Sequence, residues 1–568
     1  MSRWLLFLLC VIVGLVMLVC GLQVPVHLRA VDVSILERAG RGTTSVTERG
    51  EALASQDKLG AAQLLSQTAQ RDQLPGREKL EYAVNELARQ HPGWVVWGGP
   101  EPRFESIFEN ESKLRDPGFD PFTEYVIRLE NRERVLGLLK GSRRGSVHEL
   151  LQLRLSTNTV VFPPSPSASG QALDAAISLC GLLLEGGHLN QGLSSAISSL
   201  AESANRGGNS QPLEDVLMNL LSLGQRFNWG QLVVFVENIR DPETLRLQTN
   251  LVRNAGRQLP VLFCAVQLSG QPGLVAAYLM NYSQSGMDDL SASLRFGVGG
   301  LQELLRRNQR LNNSVYRAEG IPPLQALFAT AADFVWKAPG PVLVGKWGLY
   351  LLAGFLIAAA LHFARPTVSA LEQPLQVRGF HLAREVLFGL GFMLVVVLVS
   401  EPFLTQESQK VEFPFHLRLP TVGSALPAGS NHLKPAFMNQ LNLLTLLLFF
   451  VLQGLLYIGC LVKLAEIRRQ KVPSRVKLRL LENEDHLFDA GLYLGFVGTI
   501  ISLILVSLGV VKFSLMAAYS STSFGIIFVS IFKICHLRPT RRKLLLEAEA
   551  MATEPVAPMG RPAFATTP

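Results

Sequence analysis

Six apolar stretches recur along this chain: Trp4–Leu22, Trp347–Ala364, Val386–Leu404, Leu441–Val462, Ala490–Val511 and Phe513–Cys535. Each is close to the ~20 residues an α-helix needs to cross a hydrocarbon layer of ~30 Å. Between the first and the second the pattern changes. In Arg77–Gln90, Pro121–Leu139, Gln171–Leu184, Leu193–Ala204, Pro212–Phe227, Asp241–Ala255 and Leu290–Leu311, apolar residues return every three or four positions, the period of an amphipathic helix. Asp241-Pro242-Glu243 marks a helix start, because Asp caps free N–H groups and proline at the first helical position gives up no hydrogen bond. Trp94–Trp97 fits a strand or a loop. Leu232–Val236 and Val261–Val266 are β-rich in composition but short, so strand and buried helix fit them equally.

Phe162–Gly170 (FPPSPSASG) removes backbone donors and disfavours helix, which predicts a linker. The expected fold is all-α: a polytopic protein of six transmembrane helices carrying a large helical domain built as an α-solenoid or irregular bundle. The expected divisions are an anchor at 1–22, helical subdomains at 23–161 and 171–340 flanking a linker at 162–170, and transmembrane helices two and three within 341–404. A loop at 405–440, a fourth helix at 441–464, a basic loop at 465–487, a transmembrane hairpin at 488–536 and a tail at 537–568 complete the chain.

Charge orients these segments. Arg3 precedes the first stretch, and the connections 365–385, 463–487 and 536–547 are rich in Arg and Lys, so the positive-inside bias places them and both termini in the cytoplasm. Residues 23–340 and 405–440 are then extracytoplasmic, and the inner membrane of a bacterium is the expected setting. A net charge of +8 over 568 residues invites nucleic acid, but the densest basic cluster is juxtamembrane and suits lipid head groups instead. Membrane lipid is therefore an expected partner and nucleic acid is not. The first stretch lacks a small-x-small cleavage site after it, which predicts an uncleaved anchor. Cys180 and Cys264 fall in the extracytoplasmic part, each in an apolar run, where a buried free thiol and a disulfide are both open.

No chemistry of an enzyme is written in the chain. Gly340–Lys346 has the glycine and lysine spacing of a phosphate-binding loop, but Trp347 stands where Ser or Thr would hold magnesium, so Lys346 and Trp347 are expected to anchor at the interface. The histidines lack metal-ligand spacing, and neither a G-x-S-x-G elbow nor a paired-carboxylate motif occurs, so no metal, cofactor or catalytic residue is expected. Glu482, Glu484, Asp485 and His486 fit a solvated turn beside the basic loop.

The last two stretches differ from the others. Gly491, Gly495, Gly498 and Ser502 on the fifth, with Ala517, Ser521 and Gly525 on the sixth, recur at three- or four-residue spacing and predict close helix packing. Tyr519 to Ser523 are all hydroxylic, a costly group to turn toward hydrocarbon, so they are expected to face other helices or a hydrated path. Leu494–Leu503 (LGFVGTIISL) resembles the L-G-x-x-G-T-x-x-G-L pattern of the second helix in TolQ/ExbB/MotA-type proton-channel subunits, and Thr522–Gly525 (TSFG) is similar to the T-A-x-G of their third. The turn between the two stretches is shorter than in that family, Ser502 replaces a glycine and Ile531 a proline.

The resemblance implies a ring of copies around a partner whose aspartate carries protons past the hydroxyls of Thr499 and Thr522, with Ser521 as a further lining residue. A homo-oligomer with a membrane-protein partner follows from it. The leading expectation is an interaction or energy-coupling component of the proton-channel type. A transporter or permease component, with a path near Asn442, Thr445 and Gln453, and a membrane-anchored scaffold remain alternatives, and packing alone also explains the small faces.

Overall fold

A computed structural model describes residues 3–101, 121–123, 126, 128–155, 159–162, 172–312, 322–364, 380–403, 440–470, 472–507 and 515–550. The side chains of 3, 322–329, 362–364, 380–384, 440–445, 501–507, 515–518 and 550 lie outside the description. The molecule is mostly helical, as the apolar period predicts, and among the described residues the exception is a two-stranded parallel ladder pairing Ala30–Asp32 with Arg310–Asn312.

The helices between those strands share one continuous core, to which Leu65, Phe227, Phe235, Phe263 and Leu304 contribute side chains that are fully buried. Burying one such side chain stabilises the fold by about 1.5–3 kcal/mol. Local signals set the helix starts: Ser45 and Glu48 close a reciprocal capping box on Val46–Ser55, and Asp241 accepts the Thr244 N–H at 2.8 Å to open Pro242–Ala255. The ambiguous apolar runs are helical, within Trp229–Val236 and Leu259–Ser269, and Trp94–Trp97 is a single helical turn. Leu290–Leu311 is not one helix. It breaks at Gly297, whose φ of +67° only glycine adopts freely, and its end becomes the second strand.

Of the expected linker, the described residues include only Phe162. Phe162 is buried, and the N–H groups of Val160, Val161 and Phe162 all donate to the Glu214 carboxylate at 2.6–3.1 Å. Residues 163–170 lie outside the described residues, as do most of 405–440 and 551–568. Cys180 and Cys264 are free, buried thiols, each pushed up to about 12 by burial, and the Cys264 thiol donates to Thr68 Oγ1 at 3.2 Å.

Among the described residues four helices, not six, are long and apolar enough to cross a membrane, at Trp4–Gln23, Pro339–Leu361, Leu446–Arg469 and Tyr519–Glu549. The other two expected spans fall on the helices Phe380–Ser400 and Ala490–Ser507. Their fully described apolar portions, Glu385–Ser400 and Ala490–Ile500, are shorter than a span at ~1.5 Å per residue. The six apolar helices pack in a row: first on second, second on third, third on fourth, fourth on sixth, sixth on fifth. Glycines set the close approaches. A Cβ on Gly21 would lie 2.6 Å from the Tyr350 ring, and one on Gly354 would lie 2.9 Å from Gly389 Cα.

Beyond the apolar row the expected basic loop is helical, over Ser474–Asn483 and Asp485–Phe488, and it packs on Arg538–Ala550. Leu481, Phe488, Leu537 and Leu544 form a second small core there. Asp485 pairs with Arg541 at 2.6 Å and Glu484 with Lys463 at 3.6 Å, while Glu482 and His486 are exposed, so the expected solvated turn also ties three helices together. The sixth helix runs through Lys533–Leu537 in π register before Arg538. Pro539 explains that register, because it lacks an N–H and crowds the carbonyl four residues back, at Cys535.

Candidate functional site

The fifth and sixth apolar helices meet along their small residues. A Cβ on Gly525 would fall 2.6 Å from the Gly491 carbonyl oxygen, one on Gly495 2.8 Å from the Ser521 carbonyl oxygen, and one on Gly498 2.5 Å from Ser521 Oγ. The absence of side chains at these three glycines is what lets the backbones approach. Ser502 and Ala517 sit on the same two helices, with side chains outside the described residues.

This approach places two hydroxyls together. Thr499 Oγ1 and Thr522 Oγ1 lie 2.6 Å apart, and each is 3.1 Å from the Gly495 carbonyl oxygen. With one proton each, one hydroxyl donates to that carbonyl and the other donates to its neighbour. Thr499 and Ser521 are buried, whereas Thr522 is partly open at the edge of the seam. Ser521 Oγ has no hydrogen-bond partner. The hydroxylic run divides by face: Ser520 and Ser521 point inward, and Tyr519 and Ser523 are exposed on the single chain.

One turn deeper, Gln453 of the fourth helix donates its amide to the Gly491 carbonyl at 2.9 Å, and its own Oε1 is buried without a hydrogen-bond partner. Gln453, Gly491 and Gly525 thereby tie three helices at one level. Asn442 and Thr445 have side chains outside the described residues.

No protein family, characterised protein or solved structure matches this chain. The site therefore rests on its own geometry.

Sequence reasoning missed a second polar cluster, where the ladder meets the apolar row. Lys346 does not reach out to an interface. Inside the second apolar helix it is buried, with its glycine-flanked run wound as helix, and its ammonium donates to the Val26 carbonyl at 2.6 Å. Glu401, just past the third apolar helix, is equally buried; its Oε1 lies 3.8 Å from Lys346 Nζ, and its Oε2 accepts the Leu28 N–H at 2.8 Å. His27 stands between them, its Nδ1 3.4 Å from Lys346 Nζ and 3.8 Å from Glu401 Oε2. Burial, and then the Lys346 charge, push His27 down to about 3, so it is neutral at ordinary pH. Among the described residues no group of His, Cys, Asp and Glu is arranged to hold a metal. The one legible signal was a glutamate inside the 386–404 stretch, and its partners are about 55 and 375 positions away in sequence.

Proposed function

We propose that this protein is an integral-membrane component that couples energy or movement across a bacterial inner membrane, of the TolQ/ExbB/MotA proton-channel type. Its helical domain, residues 23–340, stands on the extracytoplasmic side, both termini are cytoplasmic, and the fifth and sixth helices assemble with further copies and with a membrane-protein partner. The observation that carries this reading is the Thr499–Thr522 hydroxyl pair on the Gly495 carbonyl, open on the Thr522 side, next to Tyr519 and Ser523, which a single chain leaves exposed. Hydroxyls at this depth cost less when another helix or a hydrated path covers them. Proton transfer would use a carboxylate from the partner, since no carboxylate lies within the hairpin helices Ala490–Ser507 and Leu515–Phe532.

A second reading, a transporter or permease component, is favoured by the bare Gln453 Oε1 between the fourth and fifth helices, which a polar solute would satisfy. Native mass measurement of the full-length protein extracted from its own membrane separates the two. The coupling reading expects several copies of the chain with a second membrane protein. A species holding one copy alone would contradict it.

A further inference from the structure

The fourth, fifth and sixth apolar helices enclose a cavity of about 10 Å³, the room of one water molecule. Gln453, Tyr457 and Cys460 line it from the fourth helix, Gly491 from the fifth, Phe532 from the sixth, and Phe488 from the short helix that leads into the hairpin. Its walls are mostly apolar, and the amide of Gln453 is the polar group that stands out. That side chain is buried, its Nε2 donates to the Gly491 carbonyl at 2.9 Å, and its Oε1 has no hydrogen-bond partner. Oε1 lies against Gly491, since a Cβ added there would fall 2.9 Å from it. Turning the amide over does not cure the bare acceptor. It would set Oε1 against the Gly491 oxygen, two acceptors together.

A buried amide oxygen keeps the cost of its lost hydration until a donor reaches it. The size of the cavity limits that donor to the dimensions of water. It is also neutral, because the lining residues include no carboxylate to balance a cation. It must bring protons of its own: the Cys460 thiol already donates to the Leu487 carbonyl at 3.5 Å, and the Tyr457 hydroxyl is engaged with His536 Nε2 at 3.0 Å. Water meets all three conditions.

We propose that this cavity is a binding site for a single water molecule, which donates one proton to Gln453 Oε1 and the other toward the weakly accepting Cys460 Sγ. The two ends of the glutamine amide then have separate tasks. Nε2 holds the hairpin backbone directly, and Oε1 holds the water beside it, so one side chain makes a polar joint between the fourth helix and the hairpin. Ordered water satisfies buried polar groups in membrane helices in this way. Exchange with solvent runs past the Tyr457–His536 contact, which lies in the π-register turn beside the Lys533–Asp489 pair. The inference stands independently of the channel reading, and it gives Gln453 Oε1 to water where the transporter reading gives it to a solute.

X-ray radiolysis of the full-length protein in lipid nanodiscs, read by mass spectrometry, tests it, because hydroxyl radicals born from a bound water modify side chains that bulk solvent does not reach. Phe488 and Phe263 make a matched pair: they are 1% and 0% exposed, the first lines the cavity and the second lies in the core of the helical domain. Phe488 is expected to be modified severalfold faster than Phe263. Equal rates, as a dry cavity or one filled by a solute would give, would overturn the site. Gln453→Met keeps the length of the side chain, removes the acceptor, and is expected to bring Phe488 down to the rate of Phe263. Fast modification of Phe488 that persists in this variant would show that Gln453 does not hold the water. The wild-type comparison decides the existence of the site whether or not the variant folds.

Discussion

Gly525→Leu is expected to separate the last two apolar helices and to abolish the folded hairpin. The first added carbon would already lie 2.6 Å from the Gly491 carbonyl oxygen and 3.3 Å from Gln453 Nε2. A backbone oxygen cannot rotate away, so the two helices must part, and the Gln453 bond to Gly491 goes with them. Overpacking of this kind costs on the order of 3 kcal/mol or more. Gly498→Ala is the informative contrast, because its Cβ meets the Ser521 hydroxyl, which can turn to another rotamer. Thermal unfolding and size-exclusion chromatography in detergent should rank Gly525→Leu far below Gly498→Ala. Equal behaviour of the two would show that the hairpin does not pack through Gly525.

The second large effect is expected in the helical domain. Glu214→Gln keeps the shape of a side chain that receives three consecutive backbone N–H groups and the Ser210 hydroxyl, but it exchanges a charged acceptor for a single amide oxygen and places donors against donors. The loss is about 1–3 kcal/mol, the cost of leaving buried donors poorly paired. Burial alone would raise the Glu214 carboxyl; the bonds from Ser210, Phe162, Val160 and Val161 outweigh it and hold the group below the ordinary carboxylate range. A lowered folded value means that the contribution is complete above the unfolded value of ~4.3 and is lost as pH falls through the folded one. The wild-type domain should therefore lose stability below about pH 4.3, and Glu214→Gln should lose much less over the same interval. Parallel pH profiles for the two proteins would contradict this account.

Much of the domain was legible in sequence because its elements are local. The Asp241-Pro242 start and the 3.6-residue period of Arg77–Gln90 follow from neighbours within one or two turns, whereas the short apolar runs that became the helices at Trp229 and Leu259 fit strand and helix equally. What escaped was non-local. The parallel ladder pairs Val31 with Leu311 across 280 positions, and neither three-residue segment alternates long enough to announce a strand. Lys346 reads as an interfacial anchor on its own, and only the return of Val26 and Glu401 to the same place buries it. Composition likewise gave no sign that Val161 and Phe162 are held by Glu214, because those bonds reach over 50 residues. In the hairpin the glycine spacing was visible. The meeting of Thr499 with Thr522 was not, since spacing along one helix does not fix the register of the next.

The coupling reading depends on those two hydroxyls, and their replacement tests it most directly. Thr499→Val and Thr522→Val keep the shape of each side chain, and the Gly495 carbonyl still has its helical partner, so the double variant should fold and assemble with a stability loss of about 1 kcal/mol or less. Complementation of a strain that depends on this protein, at matched membrane levels, is the measurement. The account predicts that the assembled double variant fails to support the cell; normal function would contradict the channel role and leave close packing as the sole purpose of the hairpin.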